Sequence, residues 1–404
     1  MKIIHRLVRL GIWLIGIGAA GLALALGGLW VEHTRRVALP TPTGPWAVGR
    51  VRLDWKDATN DASAPAPGAK REVLAWIWYP AADDKGEASP YLPASWEAAV
   101  SQSRSWILAN LLTRDLRKVR AHSREDAALP AGRDAYPVVL LRGGGAAEVW
   151  NYTALAEDLA SHGYVVVGLD APYRTHVVVV PDGRSVERTS ANDLDGVEGD
   201  EQVRRANRLL KAWTTDMSFA LDRLAGLNAA DPGGRFTGRL DLARVGAVGH
   251  SFGGAQAAEF AAQDGRCRSA IDIDGRLFGE VAHTGSKRPL MFLLGDHEHE
   301  DAAETQQVEA EFARIFAGLP AEARAWVTIR GANHFFFSDD GAFLKSHLAI
   351  GVLKWCGVVR IDSDRQWEIM AAGVRLFFDV QLKGTRGDVL ATLAQAYPEV
   401  EVRR

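Results

Sequence analysis

Residues Val245-Gly-Ala-Val-Gly-His-Ser-Phe-Gly-Gly254, running into Ala255-Gln-Ala-Ala-Glu-Phe-Ala-Ala262, decide the fold of this chain. The apolar run 245–248 reads as a buried strand and the small-residue run 255–262 as a helix. Between them stands G-x-S-x-G, in the strand–turn–helix context that makes it a nucleophile elbow. Glycines are needed at 249 and 253 because strand and helix pack too closely there for a side chain. A serine hydroxyl is a poor nucleophile unaided, so the reading requires a base, an acid to orient it and donors for a developing oxyanion.

Working outward, apolar strands alternate with helices. Strands are predicted at Pro137–Leu141, Gly163–Asp170, Ala270–Ile273, Leu290–Leu294 and Trp326–Arg330. Helices are predicted at Asn151–His162, Glu201 to about Leu227, 343–355 and 366–382, the last two closing the domain. This pattern predicts an α/β fold of the α/β-hydrolase kind, a mainly parallel central sheet with helices on both faces. Upstream, the short apolar stretches 46–51 and 53–55 read as an edge hairpin, 62–70 as a surface turn, and Glu72–Tyr79 as a strand that Pro80 should stop. Trp106, Leu111, Leu112, Leu116 and Val119 recur at helical spacing, predicting a helix that covers the sheet. Segments 100–130 and 171–199 are candidate lids.

The first 36 residues read as a separate segment. Lys2, Arg6 and Arg9 precede an uncharged apolar run from Leu10 to Val31. That length spans a bilayer and exceeds the usual apolar core of a cleaved signal, although Ala23-Leu-Ala25 could be a cleavage site. The basic residues before the run place the N-terminus inside and the domain 37–404 outside the cytoplasm.

The net charge of −3 over 404 residues gives no reason to expect nucleic acid. Cys267 and Cys356 lack metal spacing and read as two buried free thiols, with a disulfide possible in an exported domain. The dense run Asp296-His-Glu-His-Glu-Asp301 reads as a solvated loop, and the glycines at 143–145 match no nucleotide-binding pattern. No metal or cofactor is expected.

For the base, the order serine, acid, histidine requires a histidine after the last strand, and His334 stands there. His283, His297, His299 and His347 are poorer placed. Phe335-Phe-Phe337, next in the chain, could line an acyl pocket. For the acid, Asp274 ends the strand after the elbow helix and Asp296 ends the following one. Spacing leaves both open. The oxyanion donors should be the Phe252 amide and one amide from the loop Arg142-Gly-Gly-Gly-Ala146.

The chain resembles the platelet-activating factor acetylhydrolase-like branch of the α/β-hydrolases over most of 40–390. The resemblance is carried by Thr43-Gly-Pro-Trp46, Ile77-Trp-Tyr-Pro80, Tyr91-Leu-Pro93, Asp158-Leu-Ala-Ser-His-Gly-Tyr164, Asp200-Glu-Gln-Val-Arg204, the elbow, and Val327-Thr-Ile-Arg-Gly331 leading to His334. It implies Ser251 as nucleophile, His334 as base, Asp274 as acid ahead of Asp296, and Phe252 and Gly144 as oxyanion amides. The chain departs from the family at Arg142, where relatives carry histidine, and a more mobile glycine loop is expected. The implied function is a serine carboxyl-ester hydrolase acting on short-acyl or phospholipid sn-2 esters. The alternatives are a cutinase-like polyesterase, a lipase, a peptidase on the same fold, or a non-enzymatic binding protein. The last normally lacks a triad member, and this chain retains all three.

Overall fold

The computed structural model describes residues 2–83, 85–103, 113–132, 134–296, 302–343, 347–357 and 359–404. In chain order the elements are α1 (Lys2–His33), β1 (Val37–Ala38), β2 (Ala47–Asn60), β3 (Lys70–Ala81), α2 (Ala94–Ser103), β4 (Val119–Arg120), β5 (Arg124–Glu125), β6 (Tyr136–Arg142), α3 (Thr153–Ser161) and β7 (Val165–Asp170). There follow β8 (Val177–Val179), β9 (Ser185–Glu187), α4 (Gly199–Ala229), β10 (Leu240–His250), α5 (Phe252–Gln263), β11 (Cys267–Ile273), β12 (Leu290–Gly295), α6 (Ala302–Gly318) and β13 (Arg324–Ile329). Last come α7 (His347–Trp355), α8 (Ser363–Lys383), α9 (Val389–Ala396) and β14 (Val400–Arg403).

Among the described residues one sheet has the order β14-β13-β12-β11-β10-β6-β7-β3-β2-β5. The run from β13 to β7 is parallel throughout. Parallel strands are buried on both faces, which is why they read as unbroken apolar runs. Along β6, Val139 and Leu141 pack on the side of α3 and α8, while Val138 and Leu140 pack with α4, α5 and α6 on the other. The chain leaves β6 toward β7 on one side and returns through β10 on the other. The gap beyond the carboxyl ends of β6 and β10 is therefore the switch point where open α/β sheets place ligands.

Several elements differ from the sequence reading. The edge hairpin is one long strand, β2, paired with β3. Pro80 does not stop β3: it pairs with Val48, beyond Trp78, the last β3 residue paired to β7, so its missing N–H deprives no ladder. The helix expected from Trp106 to Val119 falls partly on 104–112, outside the described residues; its end is instead a single 3₁₀ turn, Leu116–Lys118, and β4. The domain does not close at α8. Asp388 caps α9 by accepting the Ala391 amide at 2.9 Å, and β14 runs antiparallel along β13. Both cysteines are free, but Cys356 is exposed rather than buried, lying just past the solvent-facing end of α7.

Helix α1 is long and apolar enough to cross a bilayer, and none of its most apolar stretch is buried. Its end is joined to the body. His33 Nδ1 donates to Thr113 O at 2.5 Å, Arg114 Nη1 to Glu32 O at 3.1 Å and the Asp115 amide to His33 O at 2.9 Å. Strand β1 then pairs with β4, and Leu39 is buried.

Candidate active site

Ser251 stands at the switch point. It links β10 to α5 with φ 54° and ψ −128°, a strained conformation for a residue with a Cβ. The strain is held from both sides. The Ser251 amide donates to Ile273 O at 2.7 Å, and the Gly254 amide to Ser251 O at 2.8 Å. A Cβ at Gly249 would meet the Gly253 carbonyl, and one at Gly253 the carbonyls of Arg142 and Gly143. Both glycines are thus required by close backbone approach.

His334 follows β13 through Gly331-Ala-Asn333. Its Nδ1 lies 2.7 Å from Asp274 Oδ2. Asp274 also departs from ordinary geometry, with φ 53°, and its side chain is fully buried. Its other oxygen, Oδ1, accepts the Gly295 amide at 2.7 Å. Asp296 is engaged elsewhere: Oδ2 accepts the Gly331 amide at 2.7 Å and faces Arg360 Nη1 at 3.4 Å. The structure therefore brings Asp274 to His334, while Asp296 holds the root of the His334 loop. His297 and His299 lie outside the described residues, as does the rest of the acidic run after Asp296.

The His334 loop is fixed by residues that spacing did not single out. Asn333 exchanges two hydrogen bonds with Gln366 on α8, both 2.8 Å, and caps the turn by accepting the Phe335 amide at 3.0 Å. Asp339 is buried and accepts the Tyr91 hydroxyl at 2.8 Å and the Ala154 amide at 3.2 Å. Burial pushes its carboxyl well above the usual range. Tyr91 belongs to the Tyr91-Leu-Pro93 motif, and this contact is its local role.

Across from Ser251 lies the glycine loop after β6. The Gly144 amide donates to the Tyr152 hydroxyl at 3.0 Å, and that hydroxyl is 2.8 Å from His250 Nδ1. Burial, with His334 nearby, pushes the His250 imidazole down to about 3, so it is neutral at ordinary pH. The Tyr152 hydroxyl thus bridges the Gly144 amide and His250 Nδ1. The rings of His250 and His334 lie 4.5 Å apart, tilted by 43°. His250 lay inside the elbow motif as an unassigned position; only the fold shows that it faces Tyr152.

Arg142 roots the glycine loop. It is buried, stacks over Trp213 at 3.5 Å, and donates through Nε to Gln256 Oε1 at 2.7 Å and through Nη1 to Leu169 O. Burial lowers its pKa to about 10, opposed by Asp170 and Asp216. The loop is thus tied to α5 and β7 at its base, a restraint that the expectation of a mobile loop did not include. Its far end is tied as well, since the His176 amide donates to Ala146 O at 2.7 Å.

The donor atoms of His250, Asp274 and His334 lie within 4.8 Å of one another, a spacing that a metal could use. Here His334 Nδ1 and Asp274 Oδ2 are spent on each other and His250 Nδ1 on Tyr152. The arrangement orients an imidazole beside a serine on a strained turn.

A family model described as platelet-activating factor acetylhydrolase, isoform II, matches residues 31–383. A probable 1-alkyl-2-acetylglycerophosphocholine esterase of Arthroderma benhamiae is 26% identical over 90% of this chain and 92% of its own length. The platelet-activating factor acetylhydrolase of Cavia porcellus is 23% identical over 82% of this chain and 74% of its own. A ferulic acid esterase structure from Streptomyces cinnamoneus superposes with a TM-score of 0.74 at 26% identity, covering 91% of this chain and 99% of that one.

Proposed function

We propose, from the premise that this chain belongs to the platelet-activating factor acetylhydrolase, isoform II, family, that it cleaves short-acyl or phospholipid sn-2 esters through a Ser251–His334–Asp274 triad. The chain is a carboxylic ester hydrolase, as its relatives are. The observation that carries the triad is the 2.7 Å contact between His334 Nδ1 and Asp274 Oδ2 beside the strained Ser251.

In this reading Asp274 accepts the Nδ1 proton of His334, leaving Nε2 as the base. Ser251 Oγ attacks the ester carbonyl as Nε2 takes its proton, and a tetrahedral oxyanion forms. The Phe252 amide, at the positive N-terminal end of α5, meets that charge. The Gly144 amide is the second donor. It is bonded to Tyr152 at rest, and an oxyanion, as the stronger acceptor, draws it across. Protonated His334 then returns the proton to the leaving alcohol. Water repeats the cycle on the acyl-enzyme and frees Ser251.

Residues 1–36 are read as a membrane anchor or signal and 37–404 as the catalytic domain, outside the cytoplasm. Segments 100–130 and 171–199 are read as a cap, supported by the bond from His176 to the glycine loop. A fluorophosphonate should label the wild type and leave Ser251→Ala unlabelled; persistent labelling overturns the nucleophile. An ester panel of rising acyl length, with a short sn-2 phospholipid and a feruloyl ester, tests the substrate. Rates that fall steeply beyond short acyl groups support the reading. Preference for the feruloyl ester would align the chain with its structural neighbour instead.

A further inference from the structure

Segment 171–176 leads from β7 into the 171–199 cap, and one buried side chain pins it. Arg174 has a side chain only 2% exposed. Its Nη1 donates to Asp61 Oδ1 at 2.8 Å and its Nη2 to Asp216 Oδ2 at 2.5 Å. Both acceptors are buried, Asp61 on the turn between β2 and β3 and Asp216 on α4. A desolvated guanidinium is costly unless paired, and its planar fork can serve two carboxylates at once. Asp216 also faces Arg71 at 3.7 Å, and Asp61 also accepts the Ser63 amide at 2.8 Å. Three parts of the chain, distant in sequence, therefore meet at one guanidinium.

The same group reaches toward the glycine loop. It lies over the Trp213 ring, 4.9 Å from the centroid, and Arg142 lies over that ring too, at 3.5 Å. Arg142 ends β6 directly before Gly143 and Gly144. Two residues past Arg174, the His176 amide donates to Ala146 O at 2.7 Å. The intervening backbone is tightly turned. Tyr173 has φ 68°, the Thr175 amide donates to Ala171 O at 3.0 Å, and Asn192 Nδ2 donates to Tyr173 O at 3.0 Å. The glycine loop thus meets segment 171–176 directly at its far end and through one indole at its root.

We propose that Arg174 is a positioning residue for ester hydrolysis: held by Asp61 and Asp216 and set over Trp213, it fixes segment 171–176 so that the glycine loop presents the Gly144 amide to the oxyanion. It acts through Trp213 and Arg142 on the root of the loop and through His176 on its far end. This rests on the reading of Gly144 and Phe252 as the oxyanion donors.

Arg174→Lys in the full-length protein makes the test, because lysine keeps a charge between the carboxylates and loses the fork and the stacking plane. Active sites are counted by fluorophosphonate labelling taken to completion, so any loss of folded protein is divided out. Per active site, kcat and KM are read on p-nitrophenyl acetate, together with the affinity for a trifluoromethyl ketone, whose hemiketal oxyanion engages both amides. A loosened donor loses part of what a deleted one would, so kcat should fall about tenfold, ketone affinity by a similar factor, and KM should change less than about twofold. Unchanged kcat and ketone affinity overturn the proposal, even with a lower melting temperature, and leave Arg174 a structural buttress. A rise in KM alone overturns it too, placing Arg174 at the substrate cleft. Asp61→Asn carries the same test if Arg174→Lys yields too little folded protein. It keeps an oxygen for Nη1 while weakening the pair, and should lower kcat and ketone affinity together; a change in melting temperature alone overturns the proposal. A wild type that is labelled but does not bind the ketone would overturn the oxyanion reading, and the role of Arg174 with it.

Discussion

The Tyr152 hydroxyl accepts the Gly144 amide hydrogen at 3.0 Å. A neutral oxygen therefore occupies, at rest, the donor assigned to the oxyanion, and the same oxygen is hydrogen-bonded to His250 Nδ1 at 2.8 Å. Tyr152→Phe removes both bonds without changing the ring. The loop loses the hold that keeps its amide beside Ser251, so kcat should fall roughly tenfold with KM nearly unchanged. Thermal denaturation should show about 1–3 kcal/mol of lost stability from the buried partners left unmade. A rise in kcat would show that the hydroxyl competes with the oxyanion rather than holding the loop for it.

Asp274 and Asp296 end adjacent strands and are alike in sequence, but they differ in what they hold. Asp274→Asn should lower kcat by about 10²–10⁴, because the amide cannot keep the Nδ1 proton of His334 in place with charge. Asp296→Asn keeps an oxygen for the Gly331 amide and should cost much less. Steady-state kinetics on one soluble ester decides it, and the reverse order would reassign the acid.

The sequence made much of this visible because burial on both faces writes parallel strands as apolar runs and because the elbow needs glycines at fixed positions. What it hid was set by the third dimension. Spacing could not separate Asp274 from Asp296, since the choice depends on which strand end meets the loop of His334. Tyr152 and His250 are 98 positions apart and meet only because β6 and β10 are neighbours. The C-terminal pair α9 and β14 was missed because a four-residue edge strand alternates too briefly to be read. Pro80 misled because its effect depends on which neighbour is missing at that point of the ladder.

Asp272, two residues before Asp274, is fully buried. Its Oδ1 accepts the Gly275 amide at 3.0 Å, which helps hold the turn that carries Asp274. Burial first, and the nearby Asp274 second, raise its pKa well above the usual carboxylate range. The folded state thus holds a proton that the unfolded chain releases above about pH 3.9. Stability from this group is complete below that pH and is lost as pH rises through the folded pKa. Asp272→Asn keeps the acceptor and removes the titration. Its melting temperature relative to wild type should rise steadily with pH from about 4 upward, and a difference that does not change with pH would show that Asp272 does not titrate in this way.

Arg142 occupies the last position of β6, directly before the glycine loop, and its guanidinium serves three partners at once: the Trp213 face, Gln256 Oε1 and Leu169 O. A lysine ammonium has no planar fork to stack and bond in that geometry. Arg142→Lys should therefore destabilise the protein by about 2–4 kcal/mol in chemical denaturation, as loss of a buried, multiply bonded cation does. Arg142→Gln should cost at least as much, because it also removes the charge that opposes Asp170, whose carboxyl burial already raises to about 7. In both variants kcat should fall more than KM rises, since the root of the oxyanion loop is what loosens. A change in KM alone would mean that Arg142 shapes the substrate cleft and leaves the loop in place.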